Sequence, residues 1–279
     1  MTRFDETAAD RLLEIVRDAA RVEVLPRFRN LRPDAISAKS SPSDLVTEAD
    51  QRSEARMTAA INAALPDALV IGEEAVAADP GLLDRLDGAD LAVILDPIDG
   101  TWNYAHGLAT FGMILAVVAG GETVFGLLYD PIGDDWVMAH RGGGAWFGRP
   151  GETATRLRAA APGPLDAMTG YVPLHMFDAA RRPALASALM AFGRVGSLGC
   201  SCHEYRMLAQ GHESFCLTAS LNAWDHAAGE LIHREAGGHA ALLDGRAYRA
   251  TMREGMLLTA PDEESWNAIR ATLGFLIEG

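Results

Sequence analysis

The chain has almost no lysine: among 279 residues there is only Lys39, and every other fixed cation is an arginine. Lysine and arginine together number 24 against 38 aspartates and glutamates, which leaves a formal charge of −14. That balance argues against a broad electrostatic footprint on nucleic acid or an anionic bilayer, so direct nucleic-acid binding and membrane association are not expected. Cysteine is scarce too, and Cys200, Cys202 and Cys216 form an odd set without a disulfide framework. Cys200, Cys202 and His203 have no second cluster at zinc spacing, so inert buried thiols are the expectation. No apolar run reaches membrane-spanning length, and the opening MTRFDETAADRLLEIV lacks a signal-peptide core, which makes a reducing cytoplasm the expected location. Low-complexity tracts and fixed-period repeats are absent as well. With 49% hydrophobic and 22% charged residues, the chain is long enough to bury a sizeable core, as one domain or as two packed lobes.

The apolar spacing predicts a long amphipathic helix from Asp5 to about Arg29, with Asp5 to Thr7 as capping chemistry. A second helix is expected from Asp44 to Leu65, stopped by Pro66, with Asp50 on it or at its start. ALVIGEE and LAVILD read as two buried strands that end in acid, and residues 111–147 read as an antiparallel meander broken by Gly-Gly, Asp-Pro and Gly-Asp turns. GGGAWFGRPG lies between strands with no lysine after it, and is a hairpin turn rather than a phosphate loop. Beyond a looser stretch at Pro150 to Pro164, helices are expected at His175–Phe192, Ser201–Gln210, Trp224–Ala236 and Pro261–Ile277. The pattern is that of a layered α/β (α+β) sandwich, not a pure Rossmann fold.

Chemistry concentrates in ILDPIDGT, where Asp96 and Asp99 flank a proline and no basic residue stands nearby in sequence. Two carboxylates about 4 Å apart repel by roughly 4 kcal/mol at an effective dielectric near 20. A shared proton, an arginine from elsewhere or a divalent metal could each supply the missing positive charge. Glu73 and Glu74 close a neighbouring apolar run, so four carboxylates can meet at one sheet rim, and such oxygen donors suit Mg²⁺ or Mn²⁺ rather than zinc. If a helix begins at Gly100 and Thr101, its free amides make an anion site beside that cation. Asp225 precedes another helix and, taken alone, reads as an N-cap.

Four stretches together, KSSPSDLVTEAD, IGEE, LDPIDGTWNY and WDHAAGELIHREAGG, resemble the inositol monophosphatase superfamily of metal-dependent, lithium-sensitive phosphatases, in the family's order across about two hundred residues. The resemblance implies an αβαβα sandwich of the inositol monophosphatase and fructose-1,6-bisphosphatase type, with a mainly antiparallel first sheet and a smaller second one. It implies one catalytic unit of two packed lobes: residues 1–155 carrying the main sheet and metal site, and residues 156–279 adding substrate contacts and Asp225. By position, Glu73, Asp96 and the Ile98 carbonyl look like ligands of a first metal, and Asp96, Asp99 and Asp225 like those of a second. Thr101 and Asp50 look like the pair that orients the attacking water, with Glu73 favouring its deprotonation. Gly100 and Thr101 resemble part of the phosphate cradle, and Lys39 matches a lysine near the site mouth.

The implied reaction is Mg²⁺-dependent hydrolysis of a small phosphorylated metabolite, inositol 1-phosphate first, with Mn²⁺ an alternative metal and Li⁺ and Ca²⁺ inhibitory. Fructose 1,6-bisphosphate, histidinol phosphate and adenosine 3′,5′-bisphosphate stay open, as do a regulatory protein-binding role and a structural metal site. The family is usually dimeric, so a homodimer is expected. Where inositol-selective members have an acid seven residues before the W-D aspartate, this chain has Thr218, which weakens a charge-assisted hydroxyl contact. His203 and Glu204 also depart from the usual small-residue pattern and are expected on a helix surface or in core hydrogen bonds.

Overall fold

The computed structural model describes residues 4–32, 35–39 and 45–277. In chain order these form α1 (Glu6–Ala19), β1 (Ile36–Ala38), β2 (Leu45–Thr47), α2 (Glu48–Ala64), β3 (Leu69–Gly72), α3 (Glu73–Ala78), β4 (Leu91–Asp99) and α4 (Thr101–Ala105). Then come β5 (Gly112–Ala119), β6 (Glu122–Asp130), β7 (Asp135–His140), β8 (Gly144–Gly148), β9 (Thr155–Arg156), β10 (Thr169–Tyr171) and α5 (Arg182–Leu189). The chain closes with β11 (Arg194–Gly196), α6 (Ser201–Ala209), β12 (Phe215–Leu217), α7 (Ala223–Glu235), β13 (His239–Leu242), β14 (Leu257–Ala260) and α8 (Glu263–Leu273).

Strands β3 to β9 form a seven-stranded sheet in sequence order. All its pairs are antiparallel except β3 with β4. The other large sheet has five strands in the order β11-β10-β12-β14-β13 and mixes parallel and antiparallel pairs.

Strand alternation sorts the core into layers, because successive side chains of a strand point to opposite faces. Val93 and Leu95 join Met113, Leu115 and Val117 in a cluster with α1 and α2. Their neighbours Ala92, Ile94, Ile114 and Ala116 face the other way, onto Leu208 of α6 and Ala227, Ala228 and Ile232 of α7. Tyr171 and Cys216 of the smaller sheet touch that same helical layer, while Phe215, Leu217 and Leu258 turn toward Leu185 of α5 and Trp266 and Ile269 of α8. The order is helices, sheet, helices, sheet, helices, the αβαβα sandwich. Each buried aliphatic side chain contributes roughly 1.5–3 kcal/mol, so the two sheets hold the middle helices from both sides.

Several expected boundaries shift for local reasons. The opening helix has its N-cap at Asp5, whose side chain accepts the Ala8 amide at 2.9 Å, and widens into a π-type segment over Ala20–Val24 before turning past Pro26. The second helix starts at Glu48 rather than Asp44, which lies outside the described residues. Leu45–Thr47 is instead a strand paired with β1, and Thr47 caps the helix through Ala49 and Asp50. The expected helix His175–Phe192 is two pieces, a single turn at Leu174–Met176 and then α5. Pro183 sits in the first turn of α5, where its missing N–H costs least.

Candidate active site

The two aspartates of DPID converge because the strand that carries them is irregular. In a regular strand residues three apart face opposite sides. Here Asp96 pairs with Ile114 and Asp99 with Gly112, so β4 advances three residues while β5 advances two. The extra residue is a bulge at Pro97–Ile98, where proline's lack of a ladder donor is tolerated. The bulge returns Asp99 to the side of Asp96, and the Ile98 amide donates to Asp96 Oδ1 at 3.0 Å.

Asp225 meets them from the second half of the chain. One carboxylate oxygen each from Asp96, Asp99 and Asp225 lie within 4.8 Å of one another. Asp225 is the third residue of α7, whose N-cap is Asn222, so it is not the cap that its position alone suggests. Asn222 Nδ2 donates to Asp225 Oδ2 at 3.0 Å and fixes its direction. Asp99 Oδ2 accepts from the Cys202 amide at 2.5 Å and the Cys200 thiol at 3.0 Å, both at the start of α6. Burial, reinforced by the neighbouring carboxylates, pushes Asp96 and Asp225 well above the usual carboxylate range, and burial raises Asp99 as well.

Glu73 stands at the same rim, outside the group of three, because β3 runs parallel to β4 with Gly72 beside Leu95, so the residue after each partner is an acid. Burial also raises the Glu73 carboxyl. Lys39 Nζ bridges Glu73 Oε1 at 2.8 Å and Glu74 Oε1 at 2.5 Å, which places the single lysine on the rim acids. Asp50, the third residue of α2, is fully buried, and its Oδ2 accepts the Thr47 amide at 2.9 Å and the Thr47 hydroxyl at 2.5 Å. Its Oδ1 faces Thr101 Oγ1 at 3.2 Å, and the same hydroxyl lies 2.9 Å from the Ile98 carbonyl. One proton thus has two acceptors, and burial pushes Asp50 up to about 7. Gly100 links β4 to α4 at φ +84°, a left-handed conformation that a side chain disfavours.

Several supporting residues were not singled out by the sequence. Glu54 accepts the Glu74 amide at 2.7 Å and the Ala75 amide at 2.8 Å, capping the helix that presents Glu73. Its signal was its place four residues after Asp50, on the same helical face. Asn103 donates to the Thr110 and Leu198 carbonyls at 2.8 Å each, tying α4 to the loop before α6. A Cβ on Gly72 would overlap the Glu54 carboxylate. Gly72→Ala is therefore expected to cost about 1–3 kcal/mol in urea unfolding. Most of that cost should vanish in a Glu54→Ala background; equal costs in both backgrounds would show that the clash is not with Glu54.

Gly100, Thr101 and Asn103 border a cavity of about 500 Å³ that reaches from Glu73, Asp99 and Asp225 to Thr218 and Glu204. Trp102 stands at its edge, 43% exposed and stacked on His106 with ring centroids 4.0 Å apart. His203 is held by the Phe111 carbonyl at 3.0 Å, the core hydrogen bond expected of it. His226 also borders the cavity, and burial lowers it to about 4.

A model of the inositol monophosphatase family matches residues 1–273, and the chain belongs to that family of phosphatases, which hydrolyse phosphate monoesters. Nus factor SuhB of Haemophilus influenzae is 33% identical over 260 residues, 87% of this chain and 89% of its own. Fructose-1,6-bisphosphatase/inositol-1-monophosphatase of Thermotoga maritima is 29% identical over 219 residues, 78% and 79% of the two chains. In fold, inositol monophosphatase II of Staphylococcus aureus is similar with a TM-score of 0.80 at 22% identity, covering 95% of each chain.

Proposed function

We propose that this phosphatase hydrolyses a small polyol phosphate, inositol 1-phosphate first among candidates, with Mg²⁺ as its cofactor. The observation that carries the reading is the convergence of Asp96, Asp99 and Asp225 within 4.8 Å, the first two buried and the third half-buried. The three donors are all carboxylate oxygens, and among the described residues no lysine or arginine forms an ion pair with any of them, so the set fits a hard divalent cation. Glu73, Asp96 and the Ile98 carbonyl would hold one ion, and Asp96, Asp99 and Asp225 another. Bound Mg²⁺ supplies the positive charge that lowers the pKa of water and offsets the phosphate's repulsion of the nucleophile. Asp50 and Thr101 hold the proton relay on which that water is oriented. The Gly100 and Thr101 amides face the phosphate, and Lys39 keeps Glu73 aligned while adding positive charge at the mouth. No covalent nucleophile is required, because positioning and electrostatics carry phosphoryl transfer of this kind.

A sugar bisphosphate is a second reading, favoured by Thr218 in place of an acid and by the name of the Thermotoga relative. The relative named as a Nus factor makes a protein partner a further role to test, and a homodimer is part of the proposal. No helix among the described residues is long and apolar enough to cross a membrane. Phosphate release is the decisive assay, using inositol 1-phosphate, fructose 1,6-bisphosphate, histidinol phosphate and adenosine 3′,5′-bisphosphate with Mg²⁺, without it, and with added Li⁺. Mg²⁺-dependent, Li⁺-inhibited release from inositol 1-phosphate is expected; faster release from another substrate would reassign the substrate, and silence throughout would end the phosphatase proposal.

A further inference from the structure

Glu204 is a buried carboxylate that the proposed chemistry leaves unused. It is 7% exposed, sits in the first turn and a half of α6 and lines the same cavity as Asp99 and Asp225. Its Oε1 accepts from Ser197 Oγ at 3.0 Å and from the Leu198 amide at 2.7 Å, which holds the loop ahead of α6. Its Oε2 meets only the thiol of Cys216, a weak donor 3.9 Å away, among the hydrogen bonds of the described residues. A carboxylate buried without a cation is costly unless strong donors meet both oxygens. Burial accordingly pushes Glu204 up to about 7.

Cys216 also locates the free oxygen. It lies on β12, two residues before Thr218, so Oε2 is beside the strand that leads to Thr218 on the same cavity wall. Thr218 is 6% exposed and its hydroxyl oxygen already accepts the Leu257 amide at 3.1 Å, which leaves the O–H free to donate. This end of the cavity thus has a carboxylate from α6 and a hydroxyl from the residue after β12. Trp102, Pro173 and Met176 add apolar wall to the same cavity.

We infer that Glu204 is the specificity-determining residue of this enzyme, its Oε2 accepting a hydrogen bond from a hydroxyl or ammonium group on the alcohol part of the substrate, beside Thr218. The inference rests on the phosphatase reading and deepens it. A site built around such an acceptor discriminates strongly against analogues that lack the donor, because the buried oxygen is then left unpaired. Phosphate esters of simple phenols or alkanols are poor substrates on this basis, and polyol or amino-alcohol phosphates are good ones.

Three probes separate the possibilities: 4-nitrophenyl phosphate, which has no donor on its alcohol part, inositol 1-phosphate, which offers hydroxyls, and histidinol phosphate, which offers an ammonium. Each is assayed with the Mg²⁺-loaded full chain as wild type, E204A and E204Q. E204A is expected to lose about 10- to 100-fold in kcat/KM on the donor-bearing substrate that the wild type prefers. Its rate on 4-nitrophenyl phosphate should fall far less, and an unchanged circular dichroism spectrum with a preserved Mg²⁺-dependent rise in melting temperature checks that the variant is folded with its metal end intact. E204Q then tells the source of the donor. The single oxygen of glutamine stays with the Leu198 amide, so its NH₂ replaces Oε2: a hydroxyl can turn to accept from it and a polyol substrate loses only part of the effect, whereas an ammonium meets a donor, loses its counter-charge and falls as far as in E204A. Equal losses on all three probes would make Glu204 a support for the Ser197–Leu198 loop and overturn the inference. So would unchanged rates on both donor-bearing probes, or a wild type that prefers 4-nitrophenyl phosphate. A wild type silent on all three ends the phosphatase reading itself, and this inference with it.

Discussion

Asp96→Asn is expected to lower phosphate release at least about a thousandfold and to raise the melting temperature of the metal-free protein. Asparagine keeps an oxygen for the Ile98 amide, 3.0 Å away in the wild type, so the bulge at Pro97–Ile98 is preserved. What it removes is a negative charge surrounded by Glu73, Asp99, Asp225 and Asp50. Without metal that charge is suppressed by protonation: burial lifts the Asp96 carboxyl well above its ordinary value. A carboxyl so raised stabilises the fold fully below the usual carboxylate range and loses that contribution as pH climbs through its folded value. The metal-free wild type should therefore lose stability with rising pH more steeply than Asp96→Asn. The gain from no longer having to take up that proton on folding is about 1–3 kcal/mol near neutral pH, a few degrees in a chain of this size. Mg²⁺ should raise the wild-type melting temperature and leave the variant's unchanged. A variant that keeps the Mg²⁺ shift and the rate would remove Asp96 from the metal site.

The Thr101–Asp50 pair gives the second large effect. Thr101→Val keeps the side-chain shape and deletes the hydroxyl, while Asp50→Asn turns an acceptor toward Thr101 into a donor and leaves an oxygen for the Thr47 amide. On the proposal that the pair orients the attacking water, each change alone is expected to lower kcat by about a hundredfold with little change in KM. The double variant should be about as slow as either single one, because removing one member of a unit already removes its function. Multiplying losses, near ten-thousandfold, would mean that the two residues act separately.

Much of this site is written in short local patterns. A buried run closed by an acid predicts where a strand delivers a carboxylate, and IGEE and LDPID both do so at one rim because β3 and β4 run parallel in register. The bulge that turns Asp99 back toward Asp96 is hinted at by the proline between them. Other features depend on partners far along the chain. Nothing near Asp225 says that it meets Asp96 and Asp99, which lie more than a hundred residues earlier. Lys39 looks like a cation waiting for an anionic ligand, and only the fold shows that Glu73 and Glu74 both reach it. Glu54 as a cap for α3 depends on a contact across twenty residues, and Glu204 reads as an ordinary helix acid until its burial is known. The split of His175–Phe192 was legible in Pro183, since proline belongs in a helix's first turn.

The middle helical layer comes late in the chain. Helix α7 packs across β4, β5, β6, β7 and β8, yet those strands are complete by Gly148 and α7 begins only at Ala223. On the ribosome, where residues are added at about 5–20 per second, one face of the large sheet is made seconds before its cover. Ile94, Ile114, Ala116 and Leu128 lie on that face, bare to solvent and to neighbouring nascent chains for the interval. Asp225 rides on the same helix, so the step that shields the sheet also completes the acidic cluster. Covering that face and bringing Asp225 to Asp96 and Asp99 thus both depend on the docking of one late helix.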